Sequence, residues 1–213
     1  RKGANLLRRN LTGSLVQCLR TNLNAKNTNI DLYEIADTFQ QRQGEKLPLQ
    51  KTMLGMITQG DLRKLRGVIE AIAKSLDRDA TVQFIEEEIG WAQAGAAILI
   101  NSKPAGWAGA ASKETLDAMD IKNSSFCAAE LELEVLAMIE AGPKKIKALP
   151  RFPAIDRDLS IIVDEERRWV DIEAAVLKAA PKELEQVNFV GIYRGKPIAA
   201  GKKSVTLALR FRN

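Results

Sequence analysis

The segment SVTLALRFR (Ser204 to Arg212) places Val205, Leu207, Leu209 and Phe211 on one side of an extended chain. Ser204, Thr206, Ala208, Arg210 and Arg212 fall on the other. A period of two sustained over nine residues is that of a strand buried on one face only. The preceding residues restrict the fold further. Leu159, Ile161 and Val163 alternate in the same way, with Asp158, Ser160 and Ile162 opposite, and predict a second strand. Trp169, Ile172, Val176 and Ala179 then recur at helical spacing up to Pro181, which ends the helix, and Val187 to Tyr193 reads as a third strand. The order β-α-β-β is the front part of a ferredoxin-like unit, β-α-β-β-α-β, whose last helix and strand are missing from the sequence. Such a sheet covers one face with its helix and leaves the other open.

Upstream, Gly142-Pro143 marks a boundary, because Gly closes a helix and Pro cannot continue one. It predicts two domains, 1–143 and 144–213. The first reads as α+β. A helix from Thr12 to Leu23, with Thr12 as N-cap, carries Leu15, Val16, Leu19 and Leu23. Strands follow at IDLYEIADTF and Lys51 to Thr58, where Gly55 allows close packing. A helix opened by Gly60-Asp61 has Leu62, Leu65, Val68, Ile69, Ile72 and Leu76 on one stripe. TVQFIEEEI, a hairpin over GAAILINSKPAGWAG, a short helix at Lys113 to Met119, a strand at Ser125 to Leu133 and a helix ending at Gly142 complete it. Strands joined by such short hairpins predict a mainly antiparallel sheet with helices packed on it.

Composition excludes several kinds of chemistry. There is no histidine, and Cys18 and Cys127 stand far apart. Zinc sites with four Cys/His ligands and imidazole-based catalysis are therefore ruled out. The two cysteines read as small buried residues of a reducing cytosol. The absence of a long apolar run excludes a spanning helix, and the absence of an initiating Met suggests a piece of a longer polypeptide. The 213 residues carry a net charge of +5. It is unevenly spread: residues 144–213 hold 15 Lys+Arg against 9 Asp+Glu, and residues 1–143 hold 17 against 18. A basic tail with an open polar sheet suits bases or backbone phosphates, although an ordinary solvated face has the same composition. Tyr193, beside Arg194 and Gly195 at a strand end, is placed to stack on an unpaired base or to cover the rim of the core. Lys202 and Lys203 are candidate phosphate contacts.

RFPAIDRDLSIIVDE followed by NFVGIYRGKPIAAGKKSVTLALRFRN resembles the ferredoxin-fold anticodon-binding domain that ends the β subunit of bacterial phenylalanyl-tRNA synthetase. The shared features are the Arg-Phe-Pro turn, Arg157-Asp158-Leu159, Tyr193-Arg194-Gly195 and Gly201-Lys202-Lys203-Ser204. LLRRNLTGSLVQCLRTNLN, IDLYEIADTF and DLRKLRGVIEAIAKSL are similar to the same family's catalytic-like module. The resemblance implies that Tyr193 stacks on an anticodon base and that Ser160 lies against the anticodon. By charge and place, Arg157, Arg194, Lys203 and Arg210 are further RNA contacts. It also implies a non-catalytic piece. Gln40 stands where active class II enzymes place an ATP-holding arginine after this strand, Arg42 is offset by two residues, and no Gly-x-Gly occurs. A neutral amide does not replace a bidentate guanidinium. ATP and magnesium would then belong to the complete enzyme, an (αβ)₂ heterotetramer with a catalytic α subunit that acts on tRNA(Phe) in the cytoplasm, and editing and metal sites would lie upstream. Trp91-Ala92-Gln93 and Ala111-Ser112-Lys113 depart from the family pattern and read as structural turns. The alternative is a protein-interaction module whose ferredoxin-like part does not bind RNA.

Overall fold

The computed structural model describes residues 6–140, 142 and 150–212. The chain divides into two compact units, Arg1–Lys144 and Lys145–Asn213.

The first unit is built on a six-stranded antiparallel sheet in the order β1-β2-β6-β5-β4-β3. Its strands are β1 (Asp31–Gln40), β2 (Leu49–Thr58), β3 (Val82–Glu86), β4 (Ala92–Ile100), β5 (Lys103–Ala111) and β6 (Cys127–Glu132). Helix α1 (Thr12–Asn24) packs on one face through Leu15, Val16 and Leu19, against Ile57, Ala128 and Phe126. Helix α2 (Leu62–Leu76) covers the other through Leu65, Ile69 and Ala73, against Leu54, Met56, Ile98 and Leu131. Strand β2 is thus covered on both sides, and Leu54 to Thr58 are all buried, so its sequence shows no alternation there. A Cβ on Gly55 would sit 2.8 Å from Leu11 Cβ and 2.9 Å from Leu15 Cδ1, so glycine lets α1 lie directly on the strand, as the sequence predicts.

Several local expectations are corrected. Asp61 caps α2, its carboxylate accepting from Lys64 N at 2.8 Å, but Val68 and Leu76 are exposed and the buried stripe is narrower than predicted. Thr12 does not cap α1. Its hydroxyl donates to Glu130 instead, and Glu130 also accepts from the backbone N–H groups of Leu11 and Thr12 at 2.8 and 2.7 Å. A carboxylate on β6, more than a hundred residues away, therefore does the work of the cap. Ser112 caps the short helix α3 (Lys113–Ala118), which gives the Ala111-Ser112-Lys113 turn its role. Helix α4 (Leu133–Ala137) stops well before Gly142, and Pro143 lies outside the described residues. The Asn101-Ser102 turn of the β4–β5 hairpin holds both residues at positive φ, and Lys103 and Pro104 already belong to β5.

Cys18 is exposed, contrary to expectation, because it lies on the outer face of α1. Cys127 is buried, and that burial pushes its thiol up to about 11. At pH 8 only about one part in a thousand of Cys127 is thiolate, the reactive form. Iodoacetamide at pH 8 is expected to label Cys18 and spare Cys127 until denaturant is added. Mass spectrometry of the two peptides checks this, and equal labelling in the folded protein contradicts it.

The second unit comprises β7 (Ile155–Asp164), α5 (Trp169–Ala179), β8 (Leu184–Tyr193) and β9 (Lys202–Phe211). Its sheet has the order β7-β9-β8, with both pairs antiparallel. This is the β-α-β-β connectivity that the sequence predicts. Ile172 of α5 is buried with Val205 and Leu207, and Trp169 meets Phe189 edge to face at 5.3 Å. Ile161, Val163, Val176, Val187 and Leu209 surround this core, whereas Ala179 is exposed rather than packed. No helix among the described residues is long and apolar enough to cross a membrane.

Candidate nucleic-acid interface

Strand register assigns each side chain of the second unit to a face. Leu159 is opposite Leu207 and Ile161 opposite Val205, on the α5 side. Ser160 is opposite Thr206, Ile162 opposite Ser204 and Asp156 opposite Arg210, on the uncovered side. From β8, Gln186, Asn188 and Tyr193 join that side through their pairing with Arg210, Ala208 and Ser204. Tyr193 reaches it because of one extra residue. The register shifts between Phe189 and Gly191, so Val190 is a bulge that reverses the parity of everything after it. Phe189 faces α5, yet Tyr193, four residues on, faces away.

The middle of this surface carries one charge, the exposed carboxylate of Asp158 opposite Ala208, and is otherwise neutral. The Ser160 and Thr206 hydroxyls are 2.8 Å apart, and the Gln186 amide donates to the Asn188 side-chain carbonyl at 3.0 Å. Ile162, on the edge strand β7, is 59% exposed and offers an apolar patch beside the hydroxyls. The Tyr193 hydroxyl donates to Lys196 O at 2.7 Å. A Cβ on Gly195, whose φ is +132, would lie 3.2 Å from that hydroxyl, so the ring rests against a loop that glycine keeps clear. The phenol is tied down while the ring remains half exposed, which suits stacking on a flat partner.

The cations are less free than their number suggests. Arg210 grips Asp156 through two bonds of 2.7 and 3.0 Å, and Arg194 is paired with Glu165. Lys202 pairs with Asp164 at 2.7 Å, and Arg212 with Glu185 at 3.0 Å. Hydrogen bonds from Arg210, Lys202 and Arg194 hold the carboxyls of Asp156, Asp164 and Glu165, respectively, below the usual carboxylate range. These pairs are intact above that range and open as pH falls through the depressed values.

The six predicted contacts do not converge. Ser160, Tyr193 and Arg210 share the uncovered face, and Arg194 lies just beyond the end of β8. Arg157 and Lys203 are corrected to the α5 side, being opposite Leu209 and Val163. Lys203 is also buried, its ammonium donating to Glu165 O at 2.5 Å, so it cannot meet a ligand on the other face. The amides of Gln186 and Asn188 are the members that sequence reasoning missed. Asn188 is in register with Ala208, already predicted to face outward, and that pairing is the signal that would have found it.

Comparison with known families accounts for both units. Residues 2–133 match the model described as the phenylalanyl tRNA synthetase beta chain CLM domain. The chain belongs to this family. Residues 150–213 match the ferredoxin-fold anticodon binding domain, so the second unit, with its open sheet face, carries that fold. Among curated proteins, the phenylalanine–tRNA ligase beta subunit of Clostridium tetani is 33% identical over 97% of this chain and 27% of its own length. That of Bacillus subtilis is 25% identical over 98% of this chain and 28% of its own length. The chain thus spans about a quarter of these synthetase β subunits. A solved pyrrolysyl tRNA synthetase from Desulfitobacterium hafniense overlaps 62% of the chain and 49% of its own length, with 16% identity and a TM-score of 0.48.

Proposed function

We propose that this chain is the C-terminal part of the β subunit of a phenylalanine–tRNA ligase. Its second unit contacts the anticodon of tRNA(Phe) with the uncovered face of β7, β8 and β9. The observation that carries this reading is the meeting of Tyr193, Ser160, Ile162, Thr206 and Asn188 on one exposed face, in a unit that matches an anticodon-binding fold. An aromatic ring, an apolar patch and neutral donors and acceptors suit bases splayed out of a single-stranded loop. Because Arg210 and Arg194 already hold carboxylates, base contacts carry more of the recognition than phosphate contacts do.

The first unit contributes to assembly and has no catalytic role of its own. Gln40, at the end of β1, supplies no permanent charge where an ATP-clamping arginine would stand. ATP and magnesium are then used by a catalytic α subunit in an (αβ)₂ complex in the cytoplasm.

In the enzyme that contains this chain, Tyr193→Ala is expected to weaken tRNA(Phe) binding by about 1–3 kcal/mol. Tyr193→Phe, which keeps the ring and loses only the bond to Lys196 O, is expected to retain most of the affinity. Filter binding at several salt concentrations checks both. The stacking loss persists at high salt, whereas any remaining phosphate component declines. Wild-type affinity in Tyr193→Ala removes the stacking role, and a protein-interaction module then becomes the better reading.

A further inference from the structure

The first unit contains a cleft that the RNA reading does not use. Its volume is about 450 Å³, and it opens on the α1 side of the sheet between β1, β2, β5 and β6. At its base lies Glu130, 2% exposed. One Glu130 oxygen takes all three of the hydrogen bonds from Leu11 and Thr12. The other accepts no hydrogen bond from the described residues, and it is not among their sealed, unsatisfied polar atoms, so it stays accessible from the cleft. Trp91 and Trp107 form an aromatic corner, edge to face at 5.6 Å. Trp91 is itself backed by Phe126 in a stack of 5.9 Å, which holds the corner rigid. Of the other described lining charges, Lys51 is bound to Glu132 at 2.6 Å, and Glu87, Glu88 and Arg9 are exposed.

We propose that this cleft binds a small organic cation, a primary ammonium on a flat apolar stem. A free carboxylate oxygen in a sheltered position attracts an ammonium strongly, because that ion pair forms with little competing water. Two indole rings inclined at 68° supply a π face for the charge and an apolar wall for the stem. Among the described lining residues, Glu87, Glu88, Glu130 and Glu132 outnumber Arg9 and Lys51, which disfavours an anion. Glu130 is fixed by the α1 N–H groups, so no side-chain ordering is needed when the ligand arrives.

The test is calorimetry and indole N–H NMR on the complete chain, with 2-phenylethylammonium as the probe. The expected result is saturable binding that shifts the indole signals of Trp91 and Trp107 and leaves Trp169, in the other unit, unmoved. 2-Phenylethanol and 3-phenylpropanoate, similar in shape without the positive charge, are expected to bind at least about tenfold more weakly. Glu130→Gln keeps an oxygen for α1 and removes the charge, and it is expected to cost about tenfold in affinity. If Glu130→Gln does not fold, the exposed double variant Glu87→Gln/Glu88→Gln provides the same readout with a smaller loss. Failure of millimolar amine to move Trp91 and Trp107, or equal binding of the alcohol, overturns the proposal. Neither result bears on tRNA binding by the second unit.

Discussion

Gly106→Ala is expected to destabilise the first unit by about 3–5 kcal/mol, or to prevent it from folding. Gly106 pairs with Ile98 on one side and Leu131 on the other, in the middle of the six-stranded sheet. A Cβ built there lies 1.9 Å from Glu130 O, 2.9 Å from Glu130 C and 3.0 Å from Leu131 Cα. All three are backbone atoms, so no side chain can swing aside. The strand must move away from β6, and the ladder that joins the two halves of the sheet is lost with it. Against a total stability of about 5–15 kcal/mol for an ordinary domain, a change of this size is decisive. Gly67 is the control. It lies in α2 with nothing within 4 Å of an added Cβ, and Gly67→Ala is expected to stabilise by about 0.5–1 kcal/mol. Urea unfolding of the two variants compares them directly. A Gly106→Ala change below about 1 kcal/mol would show that β5 and β6 have room to spare.

Glu130→Ala is expected to cost about 2–5 kcal/mol. The substitution strands the N–H of fully buried Leu11 and that of Thr12 at the start of α1, and removes a negative charge from the positive end of the helix. Each stranded buried donor costs about 1–3 kcal/mol, partly relieved where water enters from the cleft. Glu130→Gln keeps an acceptor and is expected to lose about half as much. The damage should be local first. The first helical bond of α1, Leu15 N to Leu11 O at 3.0 Å, is expected to exchange its amide proton early. Urea midpoints and hydrogen exchange measure the two effects. Near wild-type stability for Glu130→Ala contradicts the cap.

Glu130 also shows where sequence reasoning stops. A Thr at the start of a helical repeat signals an N-cap, but the cap that forms comes from a strand at the far end of the unit, and local spacing cannot show that. Cys18 has the same lesson, since a cysteine on a helix is exposed or buried according to which face the sheet covers. Residues 204–211 were readable because one-sided burial imposes a strict period of two, and that period assigned Ser160 and Arg210 to the open face correctly. Applied consistently, it also assigns Lys203 to the side of Val205 and Arg157 to the side of Leu159. Both side chains carry the charge of an RNA contact but the parity of the covered face. Tyr193 could not be placed by alternation at all, because the bulge at Val190 reverses the period and Val190 resembles any other strand residue. The tail's basic excess was legible, but its pairing with Asp156, Asp164, Glu165 and Glu185 depends on cross-strand and loop contacts that a count of charges does not contain.

The most direct measurement is a map of the amides and side chains that tRNA(Phe) protects or shifts in the second unit, by NMR or hydrogen exchange in the presence of the tRNA. The account expects the changes at Ser160, Ile162, Asn188, Tyr193 and Thr206, with the α5 side unaffected. Changes centred on Arg157, Lys203 and α5, with Ser160 and Tyr193 silent, would contradict it.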